Sequence, residues 1–140
     1  MTKPHFITVD PCFHDFVDTQ REPEQIAGGC VWTEGPVWLD DGLYFNDIPN
    51  KRMMRWTEKT GAVVALQNSE FANGNTLDCD GRMVSCEHGG RRVIRRLDPC
   101  DADAVEIIAD NFNGSRLNSP NDVIMRSDGS VWFTDPPYGI

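Results

Sequence analysis

Residues 121–135 read NDVIMRSDGSVWFTD, and the same layout occurs twice earlier, as EGPVWLDDGLYFND at 34–47 and NGNTLDCDGRMVSCE at 73–87. Each copy holds an Asp-Gly pair: Asp41-Gly42, Asp80-Gly81 and Asp128-Gly129. Asp-Gly between apolar runs predicts a tight hairpin, because glycine accepts the positive φ that such a turn demands. The run after each glycine is short and rich in aromatic or β-branched residues: Leu43-Tyr44-Phe45, Met83-Val84-Ser85-Cys86 and Val131-Trp132-Phe133-Thr134. These read as strands, and each closes on an acid: Asp47, Glu87 or Asp135.

A third strand is expected at 52–56 and 92–97, and a fourth at 62–66 and 105–109. The turn glycines lie 39 and 48 residues apart. Four short strands in each ~40–50 residues are the pattern of a propeller blade. The expected fold is therefore all-β, a β-propeller of which this sequence supplies two full units and half of a third. Residues 1–29 read as a lead-in segment. Its best helical stretch, 14–27, is interrupted by Pro23. Residues 30–140 read as the blades. A propeller needs at least four blades to close and protect its sheet edges. The expectation is an amino-terminal part of a longer protein, truncated at its C-terminus.

Composition narrows the partners. The chain has 140 residues, 39% of them hydrophobic and 25% charged, and 13 Lys and Arg against 22 Asp and Glu give a net charge of −9. Nucleic acid and anionic membrane surfaces both require a basic face, so neither is an expected partner. No apolar run approaches the ~20 residues that span a bilayer. The amino terminus has no apolar core of a secretory signal. Five cysteines, with no C-x-x-C pair among them, predict buried free thiols in a reducing, cytoplasmic compartment rather than disulfides.

Eight residues before each turn glycine stand Glu34, Asn73 and Asn121. Equivalent places in a repeat are equivalent places in a blade. If these are the starts of the innermost strands, three oxygen-bearing side chains converge on one mouth of the channel. Such a set suits a hard divalent cation. The plainer alternative is that the three merely cap turns. Glu34 lies between Trp32 and Trp38 in sequence, where an unpaired carboxylate is costly, and this favours a ligand role. His88, beside Glu87 and followed by Arg91 and Arg92, reads either as a substrate or acid/base group or as a turn histidine. Asp122 reads as a group orienting Asn121. Asn75, Arg116 and Asn118 read as pocket-entrance residues. Asp135 reads as a structural turn residue.

Four motifs in order carry a resemblance: Glu34-Gly35-Pro36-Val37-Trp38, then Cys86-Glu87-His88-Gly89-Gly90-Arg91-Arg92-Val93, Ser119-Pro120-Asn121-Asp122-Val123, and Phe133-Thr134-Asp135-Pro136-Pro137-Tyr138-Gly139. Together, from about residue 26 onward, they resemble the senescence marker protein / gluconolactonase / luciferin-regenerating enzyme family. The resemblance implies a six-bladed propeller of roughly twice this length, with one divalent metal at the channel mouth. That metal is Ca²⁺ first, with Mg²⁺, Mn²⁺ or Zn²⁺ as alternatives. By resemblance Glu34 matches the first-blade metal ligand, and Asn121 matches an Asn facing metal or substrate. The family's remaining Asn and Asp ligands come from later blades. The Asp is the usual general base, so no catalytic base is named here and the chain alone is expected to be inactive.

The implied activity is metal-dependent hydrolysis of a sugar lactone or similar ester. Glu34 and Asn121 are the metal candidates. Asn73, Asn75, His88, Asn118 and Asp122 are the substrate-binding candidates. Two other readings stand beside it: a noncatalytic propeller that binds a ligand or protein, and a phosphotriesterase-like hydrolase on the same site. Converging oxygen ligands separate the first reading from a pure scaffold, which needs none.

Overall fold

The computed structural model describes residues 6–40 and 42–138. Among them there is no α-helix, and the regular structure is antiparallel β. The first sheet is β1 (Thr33–Leu39), β2 (Gly42–Asp47), β3 (Arg52–Thr57) and β4 (Gly61–Gln67), in that spatial order. The second is β5 (Ala72–Leu77), β6 (Met83–Glu87), β7 (Arg92–Arg96) and β8 (Val105–Ala109), again in chain order. A short hairpin follows, β9 (Asn111–Phe112) with β10 (Ser115–Arg116). The third copy of the repeat forms β11 (Val123–Met125) and β12 (Val131–Phe133). The two four-stranded meanders are those the repeat predicts.

Two of the three hairpins close as expected. Asp78 N–H donates to the Arg82 carbonyl at 2.8 Å, Gly81 N–H donates to Asp78 at 3.0 Å, and Gly81 has φ +79°. Arg126, Ser130 and Gly129 repeat that pattern, with φ +84° at Gly129. This is a type I turn followed by a left-handed glycine. The first hairpin differs. Gly42 is paired opposite Leu39 inside the sheet, so the turn is shorter and Asp40 takes a left-handed φ of +54°; Asp41, the other residue of the expected Asp-Gly turn, lies outside the described residues. Gly42 is small for another reason: a Cβ there would press on the Arg55 side chain and the Trp56 carbonyl.

The core lies between successive sheets. Tyr44, Met53 and Leu66 of the first sheet meet Met83 of the second. Val84, Cys86 and Val93 of the second meet Val123 of the third unit. Neighbouring strand residues point to opposite faces, so β6 sends Met83 one way and Val84 and Cys86 the other. All five of its residues are buried. β6 is thus a central layer with a partner on each side.

Among the described residues before β1, the regular structure is a short 3₁₀ turn, Pro11–Asp15, capped by the Asp10 carboxylate accepting from Cys12 N–H at 2.9 Å. No α-helix forms over 14–27; only its first two residues, His14 and Asp15, fall in the 3₁₀ turn. Ile26 and Ala27 lie along β1 beside Thr33, Pro36 and Phe45. The five cysteines are free, as expected, but only Cys86 is buried; Cys12, Cys79 and Cys100 are exposed. The last three sit in turns and in the lead-in, where the backbone runs over the surface.

Candidate functional site

Strand register decides the site. The β1–β2 ladder slips between Glu34 and Val37, and the β5–β6 ladder slips between Ala72 and Asn75. A bulge re-aims the side chains on its strand. In both sheets the slip takes in the glycine that follows the residue eight before the turn glycine: Gly35 after Glu34, and Gly74 after Asn73. Each of these glycines permits close approach of the next first strand. A Cβ on Gly35, which holds φ +59°, would overlap the Asn73 carbonyl and crowd Asn75. A Cβ on Gly74 would overlap the Asp122 carboxylate and crowd the Asn121 carbonyl. So β1, β5 and the approach to β11 lie side by side at one end, as an Asn-Gly or Glu-Gly step requires.

Hydrogen bonds stitch these segments together. Gly74 N–H donates to the Asn121 carbonyl at 2.8 Å. Asn46 Nδ2 donates to the Asn73 carbonyl at 2.6 Å, and Asn75 Nδ2 donates to the Gly35 carbonyl at 2.7 Å. At the centre stands His88, buried in the turn after β6. Its Nε2 lies 3.0 Å from Asn73 Nδ2 and 3.5 Å from Asn121 Nδ2. With both amides presenting their NH₂ ends, Nε2 is the acceptor. Burial lowers the pKa of His88 and favours that neutral imidazole.

The predicted residues divide. Asn73, His88 and Asn121 come together. Glu34 stands on the neighbouring strand at the same end, exposed, accepting from Trp32 Nε1 at 3.2 Å. The tryptophan sandwich expected around it does not form, because Trp38 lies beyond the register slip and donates instead to the Asp40 carbonyl at 3.0 Å. Asn75 is committed to structure: besides Gly35, its Oδ1 accepts from Ser85 Oγ at 2.6 Å. Asn118 is likewise held, its Nδ2 3.2 Å from both the carboxylate and the carbonyl of Asp135. Asp122 is exposed and accepts from the adjacent Val123 N–H at 2.9 Å. Arg116 is exposed and donates to the Gly90 carbonyl at 3.3 Å.

The acids that close the second strands pin the segments entering the first strands. Asp47 accepts from Val31 N–H at 3.0 Å and Trp32 N–H at 3.3 Å, and Asp135 accepts from Asn118 N–H at 2.9 Å. Glu87 is buried with Arg96 at 3.0 Å and Arg92 at 2.6 Å. Arg96 Nε in turn donates to Ser85 Oγ at 3.1 Å, so the ion pair braces Asn75 from behind.

Two features escaped the sequence reading. Asn46, fully buried opposite Glu34, supports the Asn73 backbone, and its Oδ1 has no hydrogen-bond partner among the described residues. An amide directly after the apolar run Leu43-Tyr44-Phe45, still within β2, was the available signal. The β9–β10 hairpin turns on Asn113 (φ +51°) and Gly114 (φ +80°), the Asn-Gly pair that marks a two-residue turn.

The candidate donors are oxygens: the Glu34 carboxylate on β1, and the amides of Asn73 and Asn121, which meet at His88. Their chemistry fits a hard divalent cation, with a single negative charge among them. Among the described residues no three His, Cys, Asp or Glu side chains form a metal-binding group, so any cation would depend on the amides. No helix of the described residues is long and apolar enough to cross a membrane.

Residues 32–140 match the SMP-30/Gluconolactonase/LRE-like region. The chain is 34% identical to a gluconolactonase of Zymomonas mobilis, over 93% of its own length and 40% of that protein's. A gluconolactonase of Xanthomonas campestris superposes with a TM-score of 0.70 at 41% identity, over 79% of this chain and 36% of that one. Another solved structure, whose gluconolactonase assignment is itself provisional, superposes with a TM-score of 0.85 at 38% identity, over 94% of this chain and 46% of that one. The chain thus spans less than half the length of these relatives. On the extent of the match over residues 32–140, this chain belongs to the SMP-30/gluconolactonase/LRE-like family.

Proposed function

We propose that the protein is a metal-dependent hydrolase of the gluconolactonase type, opening a sugar lactone or a similar ester. In this reading the whole molecule is a six-bladed propeller, to which the described sheets contribute two blades and part of a third. The observation that carries the reading is the meeting of Asn73 and Asn121 at His88 Nε2, with Glu34 at the same end of the neighbouring strand. Family membership and the gluconolactonase relatives support the substrate class.

Glu34 and Asn121 would hold the cation, and Asn73 would bind the substrate. When bound, a divalent cation polarises a carbonyl and lowers the pKa of water. Neutral amide ligands leave much of its charge unspent. Glu34 supplies the anionic anchor, and its exposure leaves it open to a ligand. Asn73 and Asn121 present amide oxygens that orient a polar ring. Gly35 and Gly74 let the strands that carry these groups approach closely, so the oxygens are fixed before substrate arrives, which is the basis of electrostatic preorganisation.

The test is Glu34→Gln in the full-length protein, which removes the charge and keeps the size. Ca²⁺ affinity, by calorimetry, and sugar-lactone hydrolysis, by pH-stat above the spontaneous rate, should fall together. Unchanged affinity and turnover would sink the hydrolase assignment of this site and favour a noncatalytic binding propeller.

A further inference from the structure

We infer that His88 is a positioning residue: its Nε2 accepts from the side-chain amides of both Asn73 and Asn121 and so turns both amide oxygens toward the ligand. The inference rests on the hydrolase reading for the nature of that ligand and adds a role for a side chain that need not touch it. His88 is 8% exposed, and its Nε2 is already engaged at 3.0 and 3.5 Å, so it is poorly placed to meet a substrate itself.

The need for such a group follows from the carboxamide. Its two ends are nearly the same size and opposite in polarity: an NH₂ facing a cation repels it, and an oxygen binds it. The backbones on both sides are already held. The Asn73 carbonyl accepts from Asn46 Nδ2 at 2.6 Å, and the Asn121 carbonyl accepts from Gly74 N–H at 2.8 Å. What remains free is the end-over-end choice of each amide. One acceptor shared by the two nitrogens makes that choice for both. His88 itself is fixed by its place in the turn: its N–H points to the Phe71 carbonyl at 3.4 Å, and its carbonyl accepts from Arg91 N–H at 3.2 Å. Two amides on different repeats thus share one orienting atom on a third segment.

The experiment uses the full-length protein with His88→Leu and His88→Gln. Gln carries an acceptor oxygen at about the reach of Nε2, and Leu carries none. His88→Leu should bind Ca²⁺ at least about tenfold more weakly, in the range seen when a partner behind a metal ligand is removed. His88→Gln should recover most of that loss. A folded His88→Leu protein with wild-type affinity, or a folded His88→Gln protein as weak as His88→Leu, would overturn the inference. The second readout does not depend on cation binding or on the Leu variant folding. Long-range ¹H–¹⁵N spectra of the wild-type imidazole should show the proton on Nδ1 and a bare Nε2. With three histidines in the chain, the His88 signals are those lost in His88→Gln. A proton on Nε2 would mean that the amide oxygens face His88, and the inference would fall. If the wild type binds no Ca²⁺, the metal-dependent reading of the site fails, and the spectra still decide whether His88 orients the amides.

Discussion

Gly35 and Asn73 are packed backbone to backbone, so closely that a single added carbon on Gly35 would overlap the Asn73 carbonyl. The contact joins the first strands of two repeats at the end where the candidate ligands stand. It ties stability and site geometry to the same residues.

Gly35→Ala should therefore be among the most damaging small substitutions. It faces both a positive φ and an immovable backbone. Gly81 has φ +79° with open space around it, so Gly81→Ala meets only the conformational cost. That cost is about 1–2 kcal/mol. Urea unfolding should show Gly35→Ala losing clearly more than Gly81→Ala. Equal losses would mean that the β1–β5 contact relaxes freely.

The buried pair of Glu87 and Arg96 predicts strong asymmetry between single and double variants. Both side chains are about 2% exposed, and Arg96 Nη1 has no hydrogen-bond partner among the described residues. Glu87→Gln leaves a buried guanidinium without its counter-charge, and should cost about 3–5 kcal/mol. Replacing Glu87 and Arg96 together by leucine should cost less than Glu87→Gln alone. Thermal unfolding of the two proteins reads the difference, and a double variant worse than the single would contradict it.

Asp47 should contribute an acid limb to stability. Burial alone would raise its pKa, but bonds from Asn50, Val31 N–H, Trp32 N–H and Arg52 outweigh it and hold the pKa at about 2, below the 3.8 of an ordinary aspartate. The folded value is the lower one, so the stabilisation is complete above pH 3.8 and is lost as pH falls toward 2. The shift corresponds to roughly 2 kcal/mol at neutral pH. Asp47→Asn should lower neutral stability and flatten the stability profile across that acidic window. A variant with an unchanged acid limb would show that Asp47 is not its source.

Thiol reactivity should sort by burial. Cys86 is fully buried, and burial first, with the charges of Asp122 and Asp135 adding to it, pushes its pKa up to about 12. Cys12, Cys79 and Cys100 are exposed. Alkylation of the native protein, read by mass spectrometry, should modify those three and spare Cys86 until unfolding. Rapid native labelling of Cys86 would mean that the packing between the second and third repeats opens easily.

The sequence by itself determined the repeat, the β character, the meander order and the offset that picks out Glu34, Asn73 and Asn121. These are local properties. Strand period, Asp-Gly turn chemistry and the distance from a turn act within about fifteen residues, and each copy of the repeat states them again. Even there, one fewer residue in the first copy drew Gly42 into the ladder opposite Leu39. The tertiary structure alone decided which polar side chains are free to act. Asn73 and Asn75 differ by two positions on one strand, yet Asn73 faces His88 while Asn75 is tied to Gly35 and Ser85. Asn118 and Asn121 differ by three, yet Asn118 is held by Asp135. An amide is identical in every copy of its codon. Its role depends on which distant carbonyl, carboxylate or imidazole the packing of neighbouring sheets brings within 3 Å or so, and those partners lie 10 to 40 residues away in the chain.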